Sequence, residues 1–173
     1  VVLATEGDQA EKLLGLETSQ IEWNGIHCFY FSVPKKAFND PWLYLNGTVG
    51  DIINNIAPVS AVSEEYGAHH QNLISVSVLE EDAVGLDQNS LENKVKAQLN
   101  QWFASKPVKF KTIHYYYINH ALPNQPPGFM RQKHKYTLPE KTAICGDHRI
   151  NSSIDGAMRS GRMAAEKIYK MIK

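Results

Sequence analysis

The spacing of apolar residues changes from segment to segment along the chain, and each spacing predicts an element. Residues 1–5 form an apolar run, which predicts a buried strand. Residues 26–33 are rich in aromatic and β-branched side chains and stop at Pro34, as strands do. Residues 73–79 alternate between apolar and polar side chains, which is the pattern of a half-buried strand.

Three more segments are predicted as strands. Residues 42–45 form a short one before an Asn46-Gly47 turn signal. Residues 108–119 form a long alternating one. Its two faces would carry Tyr115 and Tyr117 on one side, and Val108, Phe110, Thr112, His114, Tyr116 and Ile118 on the other. Residues 142–145 form a short apolar one, after a Pro-rich connector over residues 122–135 that is long enough to cross between domains.

Three segments are predicted as helices, and the last of them shows the three-and-four spacing of an amphipathic helix. The first should start at Asp8 as N-cap and end at Gly15. The second should start at Asn89 and separate from the next strand at Pro107. The third begins near residue 154 and should bury one face, with Ile154, Ala157, Met158, Gly161, Ala165, Ile168 and Ile172. The two ends of the chain are therefore each predicted to combine strand and helix as α/β proteins do. The central segment is predicted to form an antiparallel sheet covered by a helix, as a domain inserted between the two ends.

Composition narrows the functional classes. The 18 basic residues balance 18 acidic ones. A nucleic-acid partner is therefore not expected, because proteins that bind nucleic acids normally carry an excess of basic residues. Cys28 and Cys145 lie far apart, without the spacing of a disulfide framework or a zinc site, which indicates a reducing cytoplasm. No apolar run approaches the roughly 20 residues of a membrane span.

The chain opens without a methionine and inside an apolar run. Because chain termini are usually solvated, this predicts a fragment of a longer protein. A processed or trimmed N-terminus is the alternative interpretation.

The segment CGDHRINSSIDGA, residues 145–157, carries the most specific chemistry. Gly146 would let the backbone turn where a strand ends, and Asp147 would then lie at the edge where open α/β sheets bind ligands. A carboxylate there suits a ribose or ribityl hydroxyl. Ser152, Ser153 and Ile154 would present free N–H groups at a helix start, which suits an anion or a carbonyl oxygen. A simple turn, a cap and close packing explain the same residues equally well.

The longer run TAICGDHRINSSIDGAMRSGRMAAEKI resembles the C-terminal flavin-binding signature of the superfamily of flavin-containing amine oxidases, protoporphyrinogen oxidases and phytoene desaturases. The matching residues are Gly146-Asp147, Gly156-Ala157, Ser160-Gly161-Arg162 and Ala164-Ala165. The opening VVLAT, with a short helix ending KLLG, resembles the strand with which these proteins re-enter the FAD domain. Cys145 departs from the Ala common in the family.

The resemblance implies a set of cofactor-binding residues for FAD. Gly146 would form the turn, Asp147 would contact the ribityl-pyrophosphate part, Ser153 and Ile154 would meet the flavin ring edge, and Ala157 would pack under the ring. His148 and Arg149 would tune the flavin, line the substrate cavity or lie in a solvated loop.

The resemblance also implies a domain layout. Residues 1–20 would be a segment of a Rossmann-like FAD domain, residues 21–138 a substrate-binding domain, and residues 139–173 the C-terminal FAD-binding strand and helix. None of the 11 glycines has the G-x-G-x-x-G spacing that binds the ADP half of FAD. The N-terminal FAD-binding segment would therefore be missing.

The function implied is the C-terminal fragment of an FAD-dependent oxidoreductase, which would oxidise a C–N or C–C bond of a small or apolar substrate. The chain alone should be inactive and should not bind FAD stably. The alternative is a self-contained, non-enzymatic binding module of sheet and helix.

Few other side chains indicate chemistry. Either Tyr116, or the pair Tyr115 and Tyr117, would line a substrate cavity, unless they pack against the second helix. The pair His69-His70 lacks a third ligand and predicts a solvated loop, so no metal site is expected. His114 is expected to be a core histidine, and no catalytic residue is assigned.

Overall fold

The computed structural model describes residues 1–16, 21–35, 37–68, 71–103, 108–129 and 138–173. The chain divides into two compact units. The first consists of Val1–Asn24 and His120–Lys173, and the second of Gly25–Asn119. His69, His70 and Pro107, on which predictions were made, lie outside the described residues.

Seven strands and four helices follow one another in the described residues. The strands are β1 (Val2–Leu3), β2 (Trp23–Pro34), β3 (Tyr44–Leu45), β4 (Asn55–Ala57), β5 (Gln71–Leu79), β6 (Lys111–Pro123) and β7 (Ala143–Ile144). The helices are α1 (Gly7–Leu13), α2 (Val59–Val62), α3 (Gln88–Phe103) and α4 (Ile154–Ile172). Short 3₁₀ turns occupy Glu64–Tyr66, Glu80–Ala83 and Asp147–Arg149. Among the described helices, none combines the length and the hydrophobicity that a membrane crossing requires.

The second unit is built on a five-stranded antiparallel sheet in the order β3-β4-β5-β2-β6. Strand β5 lies between β2 and β4 and pairs antiparallel with both. In its register with β2, Phe29 lies opposite Val76 and Phe31 lies opposite Ile74. The prediction of a mixed fold with a mainly antiparallel sheet and a helical cover is confirmed.

Helix α3 closes the core on one face of this sheet. The buried cluster comprises Phe29, Phe31, Val33, Ile53, Ile56, Ile74, Val76, Val78, Ala83, Leu91, Val95, Leu99 and Phe110. The buried side chain of Gln98 adds a polar link, because its Oε1 accepts hydrogen bonds from the N–H groups of Ile52 at 2.9 Å and Ile53 at 3.2 Å. This fixes the segment that leads into β4.

Two details of the second unit differ from the sequence predictions. The side chain that caps α3 is Asp87 and not Asn89, since Asp87 Oδ1 accepts the N–H of Ser90 at 2.9 Å. In β6, Tyr115 packs against the core cluster, whereas Tyr116 and Ile118 are exposed. The alternation predicted which side chains share a face of β6, and the structure shows that the face of Tyr115 is the one against the core.

The first unit holds a two-stranded parallel sheet of β1 and β7. Val2 lies opposite Ala143 and Leu3 opposite Ile144. The prediction of a buried strand over residues 1–5 was wrong, since Val1 is 76% and Val2 is 44% exposed. Within the described residues, β1 has β7 as its one strand neighbour, so its other edge is unpaired.

Helix α1 starts two residues earlier than predicted. Glu6 is its N-cap residue, without a side-chain hydrogen bond, and Asp8 lies inside the first turn. The predicted end is confirmed: Gly15 has a φ of 80°, and Leu16 N donates to Glu11 O at 3.1 Å. This is the Schellman arrangement, in which a left-handed residue satisfies the last helical carbonyls.

Candidate functional site

Strand β7 ends in a turn that only glycine adopts easily. Gly146 has a φ of 153°, and a Cβ at this position would lie 2.4 Å from the ring of His148. Its N–H donates to Ser160 Oγ in α4 at 3.0 Å. The turn is therefore fastened to the second turn of α4. The preceding Cys145 is buried, and burial raises the pKa of its thiol, which makes it an inert packing residue rather than a nucleophile.

Asp147 follows at the carboxyl end of β7, as predicted. Its Oδ1 accepts the N–H of His148 at 2.8 Å, and its side chain remains 31% exposed. The carboxylate thus has one oxygen engaged in a local turn and still faces solvent. This arrangement can offer an acceptor to a hydroxyl group.

His148 is buried, so the solvated-loop interpretation is wrong for this residue. Its ring lies against the backbone of Gly146 and of Gly7 in α1. Arg149 is partly exposed. His148 packs the turn rather than lining an open cavity.

Gln125 is a site residue that the sequence did not identify. Its Oε1 accepts the N–H of Ser152 at 2.8 Å, and its Nε2 donates to the carbonyl of Asp147 at 3.3 Å. Ser152 Oγ also donates to the carbonyl of Pro123 at 2.7 Å. The Pro-rich connector therefore braces the loop before α4. The signal in sequence was weak, because a lone Gln among prolines resembles any polar connector.

The start of α4 presents fewer free donors than predicted. Ser152 N–H is bound by Gln125, and Ser153 N–H donates to the carbonyl of Asn151 at 2.7 Å. Ser153 is the N-cap, and its Oγ accepts the N–H of Gly156 at 2.9 Å. Within the described residues, the N–H of Ile154 makes no hydrogen bond. One donor of the predicted three is therefore open to a ligand.

The small residues of α4 lie on two faces of the helix, one buried and one exposed. Gly156, Ser160 and Ala164 are buried, and Ala164 packs with Ala143 and Cys145. Ala157 is exposed. Most of the apolar face that was predicted to be buried is open as well, with Ile154 at 83%, Met158 at 71% and Ile172 at 68% exposure. Within the described residues, the prediction that this face is buried was wrong. The face of Gly156, Ser160 and Ala164 packs against β7 instead, because small side chains allow closer contact.

A surface hollow of about 630 Å³ lies beside this turn. Its lining is formed by Gln125, Pro126, Pro127, Gly128, Phe129, Ile150 and Asn151. The volume falls within the range of small-molecule sites, and the proline and aromatic lining suits a flat apolar ligand.

The tyrosines of β6 alternate between the two faces of the sheet, as predicted. The rings of Tyr116 and His114 lie 4.3 Å apart with their planes tilted by 50°, and Tyr116 meets Tyr30 edge-on at 6.1 Å. Next to Tyr30, Cys28 Sγ lies 3.3 Å from Ser75 Oγ. Burial, followed by the neighbouring Cys28 thiol, raises the pKa of Tyr30. His114 is exposed, so its prediction as a core histidine was wrong.

The opposite face carries Tyr115 and Tyr117 around His27. His27 Nδ1 lies 2.7 Å from Tyr115 Oη, and the His27 ring stacks on that of Tyr117 at 4.7 Å. Tyr117 Oη donates to Glu80 Oε1, and Glu80 Oε2 accepts the N–H of Gly25 at 3.1 Å. Burial lowers the pKa of His27, partly opposed by the Glu80 carboxylate.

No protein-family model matches the chain, and no curated protein matches it. Solved structures do share its fold. It is similar to a Pyrococcus furiosus protein, with 15% identity and a TM-score of 0.60, over 91% of this chain and 34% of that one. It is similar to a protein from Exiguobacterium sp. named "putative protoporphyrinogen oxidase", with 11% identity and a TM-score of 0.62, over 98% and 41%.

A third similar structure is an oxidoreductase from Methanosarcina mazei, with 12% identity and a TM-score of 0.61, over 92% of this chain and 37% of that one. The chain therefore spans between 34% and 41% of the length of these three proteins. At such identities the likeness establishes the fold.

Proposed function

We propose that this chain is the C-terminal part of an FAD-dependent oxidoreductase, which oxidises a C–N or C–C bond of a small or apolar substrate. The first unit would belong to the FAD domain, and the second unit would be the substrate domain. The names of two structurally similar proteins, an oxidoreductase and a "putative protoporphyrinogen oxidase", agree with the proposal.

The observation that carries the proposal is the open surface of the first unit. Parallel sheets are normally covered on both faces, and two strands of two residues each do not make a stable sheet alone. Here β1 and β7 form such a sheet, and Val1 and Val2 are largely exposed. We infer that further parallel strands of the same polypeptide pair and pack at this surface.

The exposed face of α4 supports the same inference. Ile154, Met158 and Ile172 recur at helical spacing and lie open to solvent, next to the buried face of Gly156 and Ser160. A helix with apolar residues on two faces is typical of a helix packed between layers. The proposed cover is the N-terminal FAD-binding segment, which would also bring the G-x-G-x-x-G turn.

The donor set at the turn fits FAD. Asp147 offers a part-exposed carboxylate to a hydroxyl, and the open N–H of Ile154 suits a carbonyl oxygen or developing anion at the start of a long helix. Ser153 fixes that start as the N-cap, Gly146 sets the turn, and the exposed Ala157 leaves room above the helix. When bound, FAD supplies the hydride-accepting chemistry. The protein contributes position and electrostatics.

The experiment uses the longer gene product. Reading the gene upstream of Val1 should reveal a strand and a G-x-G-x-x-G turn, and the purified protein should show a flavin spectrum. Asp147→Asn should weaken FAD retention by roughly tenfold to a hundredfold, as expected for a lost charge-assisted hydrogen bond. Asp155→Asn, an exposed carboxylate in the first turn of α4, is the matched control and should retain FAD.

A colourless full-length protein that ignores added FAD would refute the proposal and favour the non-enzymatic binding module. The 173-residue chain alone should not retain FAD, since the ADP-binding half is absent from it. Stoichiometric FAD binding by this chain would contradict the division of the site.

A further inference from the structure

The first unit brings together three side chains that can hold a cation. One donor atom each of Glu6, Asp8 and His120 lies within 4.8 Å of the other two. His120 Nδ1 is 3.8 Å from Asp8 Oδ1. The sequence predicted no metal site, and His120 is far from Glu6 and Asp8 along the chain.

Asp8 is the unusual member of this cluster. It is only 8% exposed, and its Oδ1 accepts no hydrogen bond from the described residues. Its other oxygen, Oδ2, accepts from Gln9 Nε2 at 3.2 Å. A buried carboxylate oxygen without a donor costs free energy unless a positive charge meets it. That oxygen points towards the imidazole of His120.

The imidazole is held in position by its neighbour. Trp23 stacks on the His120 ring at 4.8 Å and 15° between planes. Lys12 Nζ lies 3.9 Å from Asp8 Oδ2, but its side chain is largely exposed and can move into solvent. Glu6 is exposed as well, so its carboxylate is free to approach a cation.

We propose that Glu6, Asp8 and His120 bind a divalent transition-metal ion, with Zn²⁺ as the representative of the class. One imidazole and two carboxylates form a mixed ligand set that suits first-row metals better than Mg²⁺ or Ca²⁺, which prefer oxygen alone. Tetrahedral zinc, with bonds of about 2.0–2.1 Å, separates its ligands by about 3.3 Å. The side chains must therefore close by about 1.5 Å at most, and a fourth position would remain for water or another ligand.

The test is equilibrium dialysis of the tag-free 173-residue protein against Zn²⁺, repeated in the presence of excess Mg²⁺. We expect one bound Zn²⁺ per chain, insensitive to Mg²⁺, and a higher Tm in its presence. Asp8→Asn and His120→Gln should each weaken Zn²⁺ binding about tenfold or more. Even the loss of a group that only hydrogen-bonds to a metal ligand has an effect of about that size, and these residues would be the ligands themselves. His114→Gln is the matched control and should bind Zn²⁺ like the wild type.

Glu6→Gln covers the case in which the buried variants fail to fold, since Glu6 is exposed and its loss should weaken Zn²⁺ binding without unfolding the chain. Co²⁺ substitution gives an independent readout, because its visible spectrum should change in Glu6→Gln. No stoichiometric Zn²⁺ binding, displacement of Zn²⁺ by Mg²⁺, or unchanged affinity in Glu6→Gln would each overturn the proposal. The site shares no residue with the proposed FAD contacts, so a failure to bind Zn²⁺ would leave the flavin proposal intact.

Discussion

The N–H of Gly146 donates a hydrogen bond to Ser160 Oγ at 3.0 Å, and this bond joins the turn after β7 to α4. Ser160 is buried, so its hydroxyl has no ready replacement by water. Helix α4 therefore holds the turn that positions Asp147 in place.

Ser160→Ala should destabilise the chain by about 1–3 kcal/mol, because it leaves a partly buried N–H without an acceptor. Urea unfolding measures the change. Ser63→Ala is the control, since the Ser63 side chain forms no capping bond. Equal stability of the two variants would contradict the role of the bond.

Gly146→Ala and Gly161→Ala should act in opposite directions. A Cβ on Gly146 meets the His148 ring at 2.4 Å and forces an unfavourable φ, so we expect a loss of about 1–3 kcal/mol. Gly161 lies within α4 with open space around it, and Ala there should stabilise the chain by about 0.5–1 kcal/mol. Thermal unfolding of both variants checks the sign.

Two neighbouring alanines of α4 distinguish its buried face from its open face. Ala164→Leu should destabilise the 173-residue chain by about 1–3 kcal/mol, since it overpacks the contact with β7. Ala165→Leu should stay within about 0.5 kcal/mol of the wild type, because Ala165 is exposed. In the longer protein, the proposed cover makes Ala165→Leu destabilising too, and chemical denaturation of both lengths tests this.

The cap of α3 can be tested at two positions. Asp87→Ala should lower the Tm, since Asp87 Oδ1 accepts the Ser90 N–H, and this bond contributes to the lowered pKa of the Asp87 carboxyl. Asn89→Ala should leave the Tm unchanged or raise it, because Ala is the better helix former. The reverse order would indicate that Asn89 is the true cap.

His27 should make the second unit less stable in mild acid. Burial lowers its pKa below 6.5, so the folded protein binds fewer protons than the unfolded chain between the folded pKa and 6.5. Its contribution is complete above pH 6.5 and declines as the pH falls towards the folded pKa. Unfolding at pH 7.5 and 5.5 should show this loss, and His27→Gln should show a smaller one.

The control for this prediction is His114→Gln, which should keep the wild-type pH dependence, since His114 is exposed. An NMR titration of His27 gives its pKa directly. A value at or above 6.5 would show that the Glu80 carboxylate outweighs burial.

Local pattern determined much of this fold. The alternation of residues 73–79 placed Ile74, Val76 and Val78 in the core, and Gly15 ended α1, since each depends on the geometry of a few adjacent residues. The same holds for the turn at Gly146 and for Asp147 at the end of β7. Strand period and glycine conformation are local properties, so the sequence alone specified them.

Tertiary structure decided the features that depend on distant neighbours. Periodicity identified an apolar face on α4, but the contact with β7 selected Gly156, Ser160 and Ala164 as the buried face, because small side chains allow closer approach. The brace from Gln125 and the meeting of Asp8 with His120 likewise join residues far apart in the chain. Burial and hydrogen-bond partners are properties of the folded surroundings, and no pattern within one segment contains them.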